Sequence, residues 1–104
     1  MLIESASVSP LRRSTVKRPL HLVDFFCKAP KANSVFLVGD FNDWSPVANP
    51  MNRMPDGGWL LRLSLYHGHH QYYFLVDGRP TLDPHAVGTV RNHRGEPVSL
   101  IAVS

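Results

Sequence analysis

The sequence predicts an all-β protein, a sandwich of six to eight short strands, and three observations lead to this fold class. Nine prolines and seven glycines in 104 residues favour many turns and short strands over long helices. From Pro19 onward, apolar and polar residues alternate with the period of two that half-buried strands show. The hydrophobic fraction of 43% and the chain length both suit one domain with its own core.

The first 19 residues differ from the rest of the chain. They show no strand or helix periodicity, and they are rich in Ser, Arg and Pro. Four basic residues stand there against Glu4 alone, which accounts for the whole net charge of +3. We therefore expect a flexible basic arm over residues 1–19 and a sandwich over residues 20–104. Because the second part is electrically balanced, neither nucleic acid nor a membrane is an expected partner.

The first two strands are expected over residues 21–27 and 34–39. Lys28-Ala29-Pro30 ends the first strand. The second is apolar on both faces, which predicts a place at the centre of the sandwich. Residues 40–49, rich in Asp, Asn, Ser and Pro, then form a polar turn, in which Phe41 is the expected buried anchor.

The next two strands show the alternation most clearly. After the turn Asp56-Gly57-Gly58, residues 59, 61, 63 and 65 are all large and apolar, so they form an inner face. His67-Gly68-His69 turns the chain into the longest strand, residues 70–77. There Tyr72 and Phe74 are expected to face inward, and Tyr73 to face outward.

The remaining chain is expected to close the sandwich. Asp77-Gly78 is a hairpin signal that leads to a short extended piece over residues 79–82. A loop is expected over residues 83–96 and a closing strand over residues 98–103. This succession of short strands, with no convincing helix, predicts an immunoglobulin-like sandwich.

No catalytic or metal-binding set is recognisable. Asp40 and Asp43 lie in one turn, where aspartates usually accept backbone N–H bonds, so a glycosidase pair is not expected. His67 and His69 flank the turn glycine Gly68, and zinc needs three or four converging ligands, so we expect turn and surface histidines there rather than a metal site. No phosphate-binding loop or nucleophile elbow occurs. We expect no enzyme activity, no cofactor and no metal.

Cysteine usage and hydropathy point to the cytoplasm. Cys27 is the single cysteine, so no intrachain disulfide forms, and its apolar surroundings predict a small buried hydrophobe. No apolar run is long enough to span a membrane, and the first residues do not have the pattern of a secretory signal.

Three blocks of the sequence resemble carbohydrate-binding module family 48. The first is APKANSVFLVGDFNDW, residues 29–44, and the second is HQYYFLVDG, residues 70–78, followed by Asp83-Pro84. The third is GTVRN, residues 88–92. The family includes N-terminal domains of glycogen branching enzymes and isoamylases, and the glycogen-binding domain of the AMP-activated protein kinase β subunit. The resemblance implies an early-set immunoglobulin-like sandwich that binds α-glucans of the glycogen or starch type.

The resemblance also implies the binding residues. Sugar rings stack their C–H faces on aromatic side chains, and Trp44 in a polar turn suits this role. Tyr73 stands where the kinase subunit has a lysine, on the outward face, and adds a second ring. Arg91 and Asn92 align with that subunit's sugar-binding asparagine and its neighbour. Pro80 departs from the pattern, because it replaces a second sugar-stacking tryptophan.

Two functions remain open at this point. The first is a non-catalytic glucan-binding module that acts alone or with a partner in trans. The second is a protein–protein interaction or homodimerisation module of the same fold that has lost sugar binding, as the change at Pro80 allows. In the second case, Leu75 on the outward face is expected to belong to a protein contact.

Overall fold

The computed structural model describes residues 20–104, and nearly all of its regular structure is β. A single-turn 3₁₀ helix, Asp40–Asn42, follows the second strand. The strands are β1 (Leu20–Lys28), β2 (Val35–Gly39), β3 (Asn52–Arg53), β4 (Gly58–Tyr66), β5 (Gly68–Val76), β6 (Arg79–Thr81), β7 (Gly88–Arg91) and β8 (Pro97–Val103). The expected arm over residues 1–19 lies outside the described residues.

The strands form two antiparallel sheets, which confirms the predicted sandwich. The three-stranded sheet has the order β1-β4-β3, and β1 pairs with β4 from Leu20 opposite Tyr66 to Lys28 opposite Gly58. The five-stranded sheet has the order β2-β5-β8-β7, with β6 also joined to β5. The long strand β5 pairs with both β8 and β6. Its first half pairs with β8, and its last three residues pair with β6.

The core lies between the two sheets and follows the predicted alternation. Phe25, Leu37, Tyr72 and Phe74 are each at most 2% exposed. The rings of Phe25 and Tyr72 meet edge to face across the sandwich, with centroids 5.0 Å apart. Trp59 and Leu65 are buried and Leu61 and Leu63 pack against the same core, so the inner face of β4 is confirmed. Cys27 is buried among these residues, as expected.

The position predicted for β2 is wrong. It is an edge strand of the five-stranded sheet, paired along its length with β5 alone. Residues 49–51 cover its free edge, since Leu37 N–H donates to the Asn49 carbonyl and Met51 N–H donates to the Val35 carbonyl. Pro50 forms an isolated bridge with Phe36 at the same place. This segment pairs with the free edge of β2, although β2 lies at the end of its sheet.

The loop predicted over residues 83–96 is also wrong in part, because it contains strand β7. The pairing of β7 with β8 runs from Gly88 opposite Leu100 to Arg91 opposite Pro97. Gly-Thr-Val-Arg is short and holds one strongly apolar residue, so the sequence pattern alone did not reveal the strand. The two-residue strand β3 was missed for the same reason.

No helix among residues 20–104 is long and apolar enough to cross a membrane.

Candidate functional site

Hydrogen bonds from Asn42 hold the turn between β2 and Trp44 in shape. Its side-chain N–H groups donate to the Leu37 carbonyl at 2.9 Å and to Asn49 Oδ1 at 2.7 Å. Its Oδ1 accepts from Gly39 N–H at 3.1 Å. Trp44 N–H donates to the Gly39 carbonyl at 2.9 Å, which closes the turn. A short polar segment is thereby given a single conformation.

Asp40 joins this turn to the beginning of β5. Its Oδ2 accepts from Gln71 N–H at 2.9 Å, and its Oδ1 lies 3.3 Å from His70 Nδ1. The other ring nitrogen of His70 lies 2.9 Å from the Tyr66 carbonyl. Asp40 therefore binds a backbone N–H, as expected from its place in a turn. Among the described residues, no group of three or more His, Cys, Asp or Glu side chains is placed to hold a metal ion.

Phe41 anchors the turn, as predicted. Its ring is partly buried against the core, 5.7 Å from the ring of Phe25. The ring also lies directly against Gly39, where an added Cβ would come within 2.5 Å of Phe41 Cζ. Gly39 is extended, at φ −162°, so the turn requires glycine there for space.

Trp44 is presented by an unusual backbone. Asp43 and Trp44 both have left-handed conformations, at φ 57° and 58°. This region costs a non-glycine residue about 1–2 kcal/mol, and a bulky side chain rarely adopts it. The indole lies nearly parallel to the ring of Tyr73, with centroids 5.9 Å apart and an interplanar angle of 24°. We call this stacked pair the aromatic platform.

Buried valines lie on the same outer face of the five-stranded sheet. Val38 is the cross-strand neighbour of Tyr73 and is 0% exposed, although it points away from the core between the sheets. Val98 is 1% exposed on that face as well. Neither residue belongs to the main core cluster. The sheet thus carries a second, smaller apolar layer on its outer face.

A cleft of about 350 Å³ opens beside Tyr73, between β6 and the β7–β8 hairpin. We call it the hairpin cleft. Its lining consists of Tyr73, Pro80, Thr81, Leu82, Arg94, Glu96, Pro97 and Val98.

Arg91 and Asn92 lie in the β7–β8 hairpin, where their side chains shape the turn. An Nη1–H group of Arg91 donates to the Gly95 carbonyl at 2.6 Å. Asn92 Oδ1 accepts from the N–H groups of Arg94 and Glu96 at 2.9 and 3.0 Å. Because Val90 pairs with Val98 on the outer face, alternation turns Arg91 toward the opposite face.

The structure therefore brings two of the four predicted site residues, Trp44 and Tyr73, into direct contact. Arg91 and Asn92 support the neighbouring hairpin. Arg94 and Glu96, which reach the hairpin cleft, were not predicted from the sequence. The turn residues Asn92 and Gly95 that enclose this segment were the one signal that a hairpin presents them.

A buried hydrogen-bond chain supports the sheet behind the site. The Tyr72 hydroxyl donates to Asp83 Oδ2 at 2.6 Å, and Asp83 N–H donates to Ser99 Oγ at 2.8 Å. Burial, and then the bond and the negative charge of Asp83, raise the pKa of Tyr72 far above its usual range. Burial likewise raises the pKa of Cys27, so its thiol stays neutral. These groups serve the fold.

Comparison with known proteins identifies the family. The family model described as the glycogen recognition site of AMP-activated protein kinase matches residues 25–104. The 1,4-alpha-glucan branching enzyme GlgB of Mycobacterium ulcerans (strain Agy99) is 34% identical over 94 residues, which cover 85% of this chain and 13% of that enzyme.

Two further relatives also match this chain over only part of their own length. The 5'-AMP-activated protein kinase subunit beta-1 of Sus scrofa is 42% identical over 64 residues, 56% of this chain and 50% of that subunit. The 1,4-alpha-glucan-branching enzyme of Felis catus is 50% identical over 38 residues, 35% of this chain and 5% of that enzyme. The chain thus spans half or less of the length of each of these relatives. With the family model matched from the first strand to the last residue, the chain belongs to the glycogen-recognition family of AMP-activated protein kinase.

Proposed function

We propose that residues 20–104 form a non-catalytic module that binds α-glucan on the aromatic platform. The observation that carries this proposal is the stacked pair of Trp44 and Tyr73, held by a backbone in the left-handed region. Such backbone conformations persist only where the surrounding structure enforces them, and they concentrate at functional sites. Flat aromatic surface of this kind suits the C–H face of a glucose ring.

Asn92 is proposed as a hydrogen-bonding partner from the β7–β8 hairpin, and Arg91, whose side chain starts from the opposite face of the sheet, is proposed to contact a glucan chain that extends around the end of this hairpin. A guanidinium has five N–H donors, and the Gly95 carbonyl takes one from Arg91. Asn92 donates one amide N–H to Glu96 Oε1 at 3.3 Å and keeps the other for a ligand. These donors match sugar hydroxyls, and we expect each to contribute less than the platform.

Titration with maltoheptaose tests this proposal, with calorimetry and tryptophan fluorescence as readouts. Replacing a central aromatic anchor costs about 2 kcal/mol, so Trp44→Ala is expected to weaken binding about 30-fold. Leu22→Ala is the matched control, because Leu22 is 68% exposed on the other sheet. Trp59 is buried in the core, so its fluorescence reports whether the fold of Trp44→Ala is intact. Absence of saturable binding in the unmodified protein, or equal binding in Trp44→Ala, contradicts the proposal.

A second candidate function, protein–protein interaction, has one observation in its favour. The outer face of the three-stranded sheet exposes large apolar side chains at Leu20, Leu22, Phe26 and Tyr66. The residue expected in such a contact, Leu75, is half-buried beside Phe36 and Pro80. Light scattering after size exclusion separates the two functions. A monomer that binds glucan supports the first, and a stable oligomer blind to glucan supports the second.

The proposed glucan binding also suggests what the module does in the cell. A recognition domain has no chemistry of its own, so we propose that it directs a partner, or another part of the protein, to glucan in the cytoplasm. No cofactor or metal enters this mechanism.

A further inference from the structure

The two sheets of the sandwich differ in width at one side. Residues 49–51 pair with β2 and β3 begins at Asn52, so the order β1-β4-β3 lies over the order β8-β5-β2. The larger sheet continues past β8 to β7, whereas the smaller sheet stops at β1. Among residues 20–104, β4 is the only strand that pairs with β1. The position beside β1, over β7, therefore holds no strand, and we call it the open edge.

The backbone of β1 can pair on this side. Met54 N–H donates to the Gly58 carbonyl, so the backbone groups of even-numbered residues of β4 point toward β3 and those of odd-numbered residues toward β1. Through the β1–β4 register, odd-numbered residues of β1 point toward β4. The N–H and C=O groups of its even-numbered residues thus point to the open edge. A nine-residue edge strand without proline is a template for another strand.

Two clefts of about 230 and 310 Å³ lie along the open edge, between β1 and residues 82–87. Phe26 lines both clefts, Val87 lines the smaller one and Leu82 the larger one. Eight large apolar side chains are exposed among residues 20–104, and five of them lie on β1 or on residues 82–87, so apolar exposure is concentrated here. These five are Leu20, Leu22, Phe26, Leu82 and Val87. A strand added beside β1 would remove apolar surface from water.

The shape of the open edge selects a single extended segment. A second copy of this chain would bring its own larger sheet to the place where β7 already lies, so two sandwiches would collide before their β1 strands could pair. An extended segment with no sheet beneath it meets no such obstacle. The occupant that fits is therefore one strand from a protein partner.

The charges along the open edge indicate which side chains that strand carries. Lys28 lines the larger cleft, and within the part of the chain that the structure describes its ammonium has no ion pair or hydrogen bond. The carboxylate of Asp24 is neutralised by Arg62. Residues 1–19, with four basic side chains against Glu4, repeat the charge of Lys28 and so do not match the edge. An acidic segment does.

We propose that the open edge of β1 docks a protein partner by strand addition, and that the partner contributes an extended segment in which apolar and acidic residues alternate. Backbone hydrogen bonds to the even-numbered residues of β1 hold the segment. Its inward side chains pack in the clefts against Leu82 and Val87, and an outward carboxylate meets Lys28. This inference goes beyond glucan binding, because β1 and the aromatic platform belong to different sheets.

The test uses the whole chain and fluorescent heptapeptides. The probe alternates valine with glutamate, and two control peptides carry lysine in place of glutamate or proline at the centre. Fluorescence anisotropy is expected to show binding of the valine–glutamate peptide and about tenfold weaker binding of the proline peptide, which lacks a central N–H group. Amide hydrogen exchange is expected to slow on peptide binding at four residues, Leu22, Asp24, Phe26 and Lys28.

Lys28→Glu tests the charge match. It is expected to weaken binding of the valine–glutamate peptide about tenfold and to favour the valine–lysine peptide instead. Lys31→Glu makes the same change of charge outside both clefts, so it is the matched control and is expected to bind as the unmodified protein does. Maltoheptaose affinity should be equal in both variants, with or without peptide.

Three results would overturn the inference: equal binding of the proline peptide, unchanged exchange at the four amides, or equal effects of Lys28→Glu and Lys31→Glu. Slow exchange without peptide overturns it as well. Light scattering that finds a dimer then assigns the open edge to a second copy, and faster exchange after deletion of residues 1–19 assigns it to that segment. Loss of maltoheptaose binding in Trp44→Ala concerns the platform alone, so the two proposals fail separately.

Discussion

The outer faces of the two sheets are built differently. On the three-stranded sheet, side chains such as Leu22 and the ion pair of Asp24 with Arg62 stand in solvent, with each partner of the pair at least half exposed. On the five-stranded sheet, Val38 and Val98 point outward and are nevertheless buried. A turn and a hairpin, residues 39–44 and 92–96, stand beside them.

The outer face of the five-stranded sheet therefore has structural features that folding alone does not require. The exposed apolar side chains of the three-stranded sheet need no special backbone conformation or second apolar layer to support them. Strained residues at positions 43 and 44, a dedicated Asn42 clamp and a second apolar layer are not needed to close a sandwich. They hold the rings of Trp44 and Tyr73 in contact on one face, as the proposed binding site requires.

Gly39→Ala is expected to disturb the site face most. The new Cβ would lie 2.5 Å from Phe41 Cζ and 2.8 Å from the Gln71 carbonyl, so both the anchor and the backbone must shift. We expect a loss of about 3 kcal/mol in the free energy of unfolding, measured by urea denaturation. Binding of maltoheptaose should fall with it, since Gly39 closes the Trp44 turn.

Gly88→Ala is the control for that substitution. Gly88 lies in the same sheet, and an added Cβ there meets nothing within 4 Å. Its stability should stay within about 0.5 kcal/mol of the unmodified protein. Equal losses in the two variants would show that glycine replacement in this sheet, rather than crowding at Phe41, causes the effect.

Val38→Ala compares the two outer faces directly. It removes two methyl groups from a fully buried side chain, which should cost about 2 kcal/mol and loosen the support beneath Tyr73. Leu22→Ala on the other face should change stability by less than about 0.5 kcal/mol. Thermal and urea unfolding measure both. If the two losses are alike, the second apolar layer has no special role.

Tyr72→Phe removes the buried bond to Asp83 and should cost about 1.5 kcal/mol, because the acceptor is charged. The pKa of Tyr72 is raised in the folded protein, so its contribution is complete below the unfolded-state pKa of about 10 and is lost as the pH rises above it. Unfolding followed from pH 8 to 11 should show a steeper loss in the unmodified protein than in Tyr72→Phe.

The exposed ion pair of Asp24 with Arg62, on the three-stranded sheet, should affect stability in the acid range instead. The hydrogen bond and charge of Arg62 lower the pKa of Asp24, so any contribution is present at neutral pH and is lost in acid, below about pH 4. Added salt should screen it as well, since both groups are open to solvent. A salt-sensitive alkaline transition would contradict this assignment.

Asp43→Gly should have the smallest effect. Asp43 adopts φ 57°, a conformation that glycine reaches without strain. The relief is partly offset by the greater freedom of glycine in the unfolded chain, so stability should rise by less than about 1 kcal/mol. Glucan affinity is expected to fall slightly, because a freer turn holds Trp44 less firmly. A large loss of stability would mean that the Asp43 side chain supports the turn.

Much of the fold was readable in the sequence, because side-chain alternation is a local property of each strand. The inner faces of β4 and β5, the outward position of Tyr73 and the anchor at Phe41 were all predicted from it. The edge position of β2 was not, because residues 49–51 hide its free edge. Strand β7 was missed because its existence depends on pairing with β8, which lies beyond any local pattern.

For the site, the sequence by itself determined which residue types are available: a tryptophan in a polar turn, an outward tyrosine, and a hairpin with Arg91 and Asn92. Only the tertiary structure decided that Trp44 lies on Tyr73, and that Arg94 and Glu96 reach the cleft beside it. The physical reason is distance along the chain. These contacts join a turn, a strand and a hairpin whose relative positions depend on sheet order and register, which only the folded sandwich specifies.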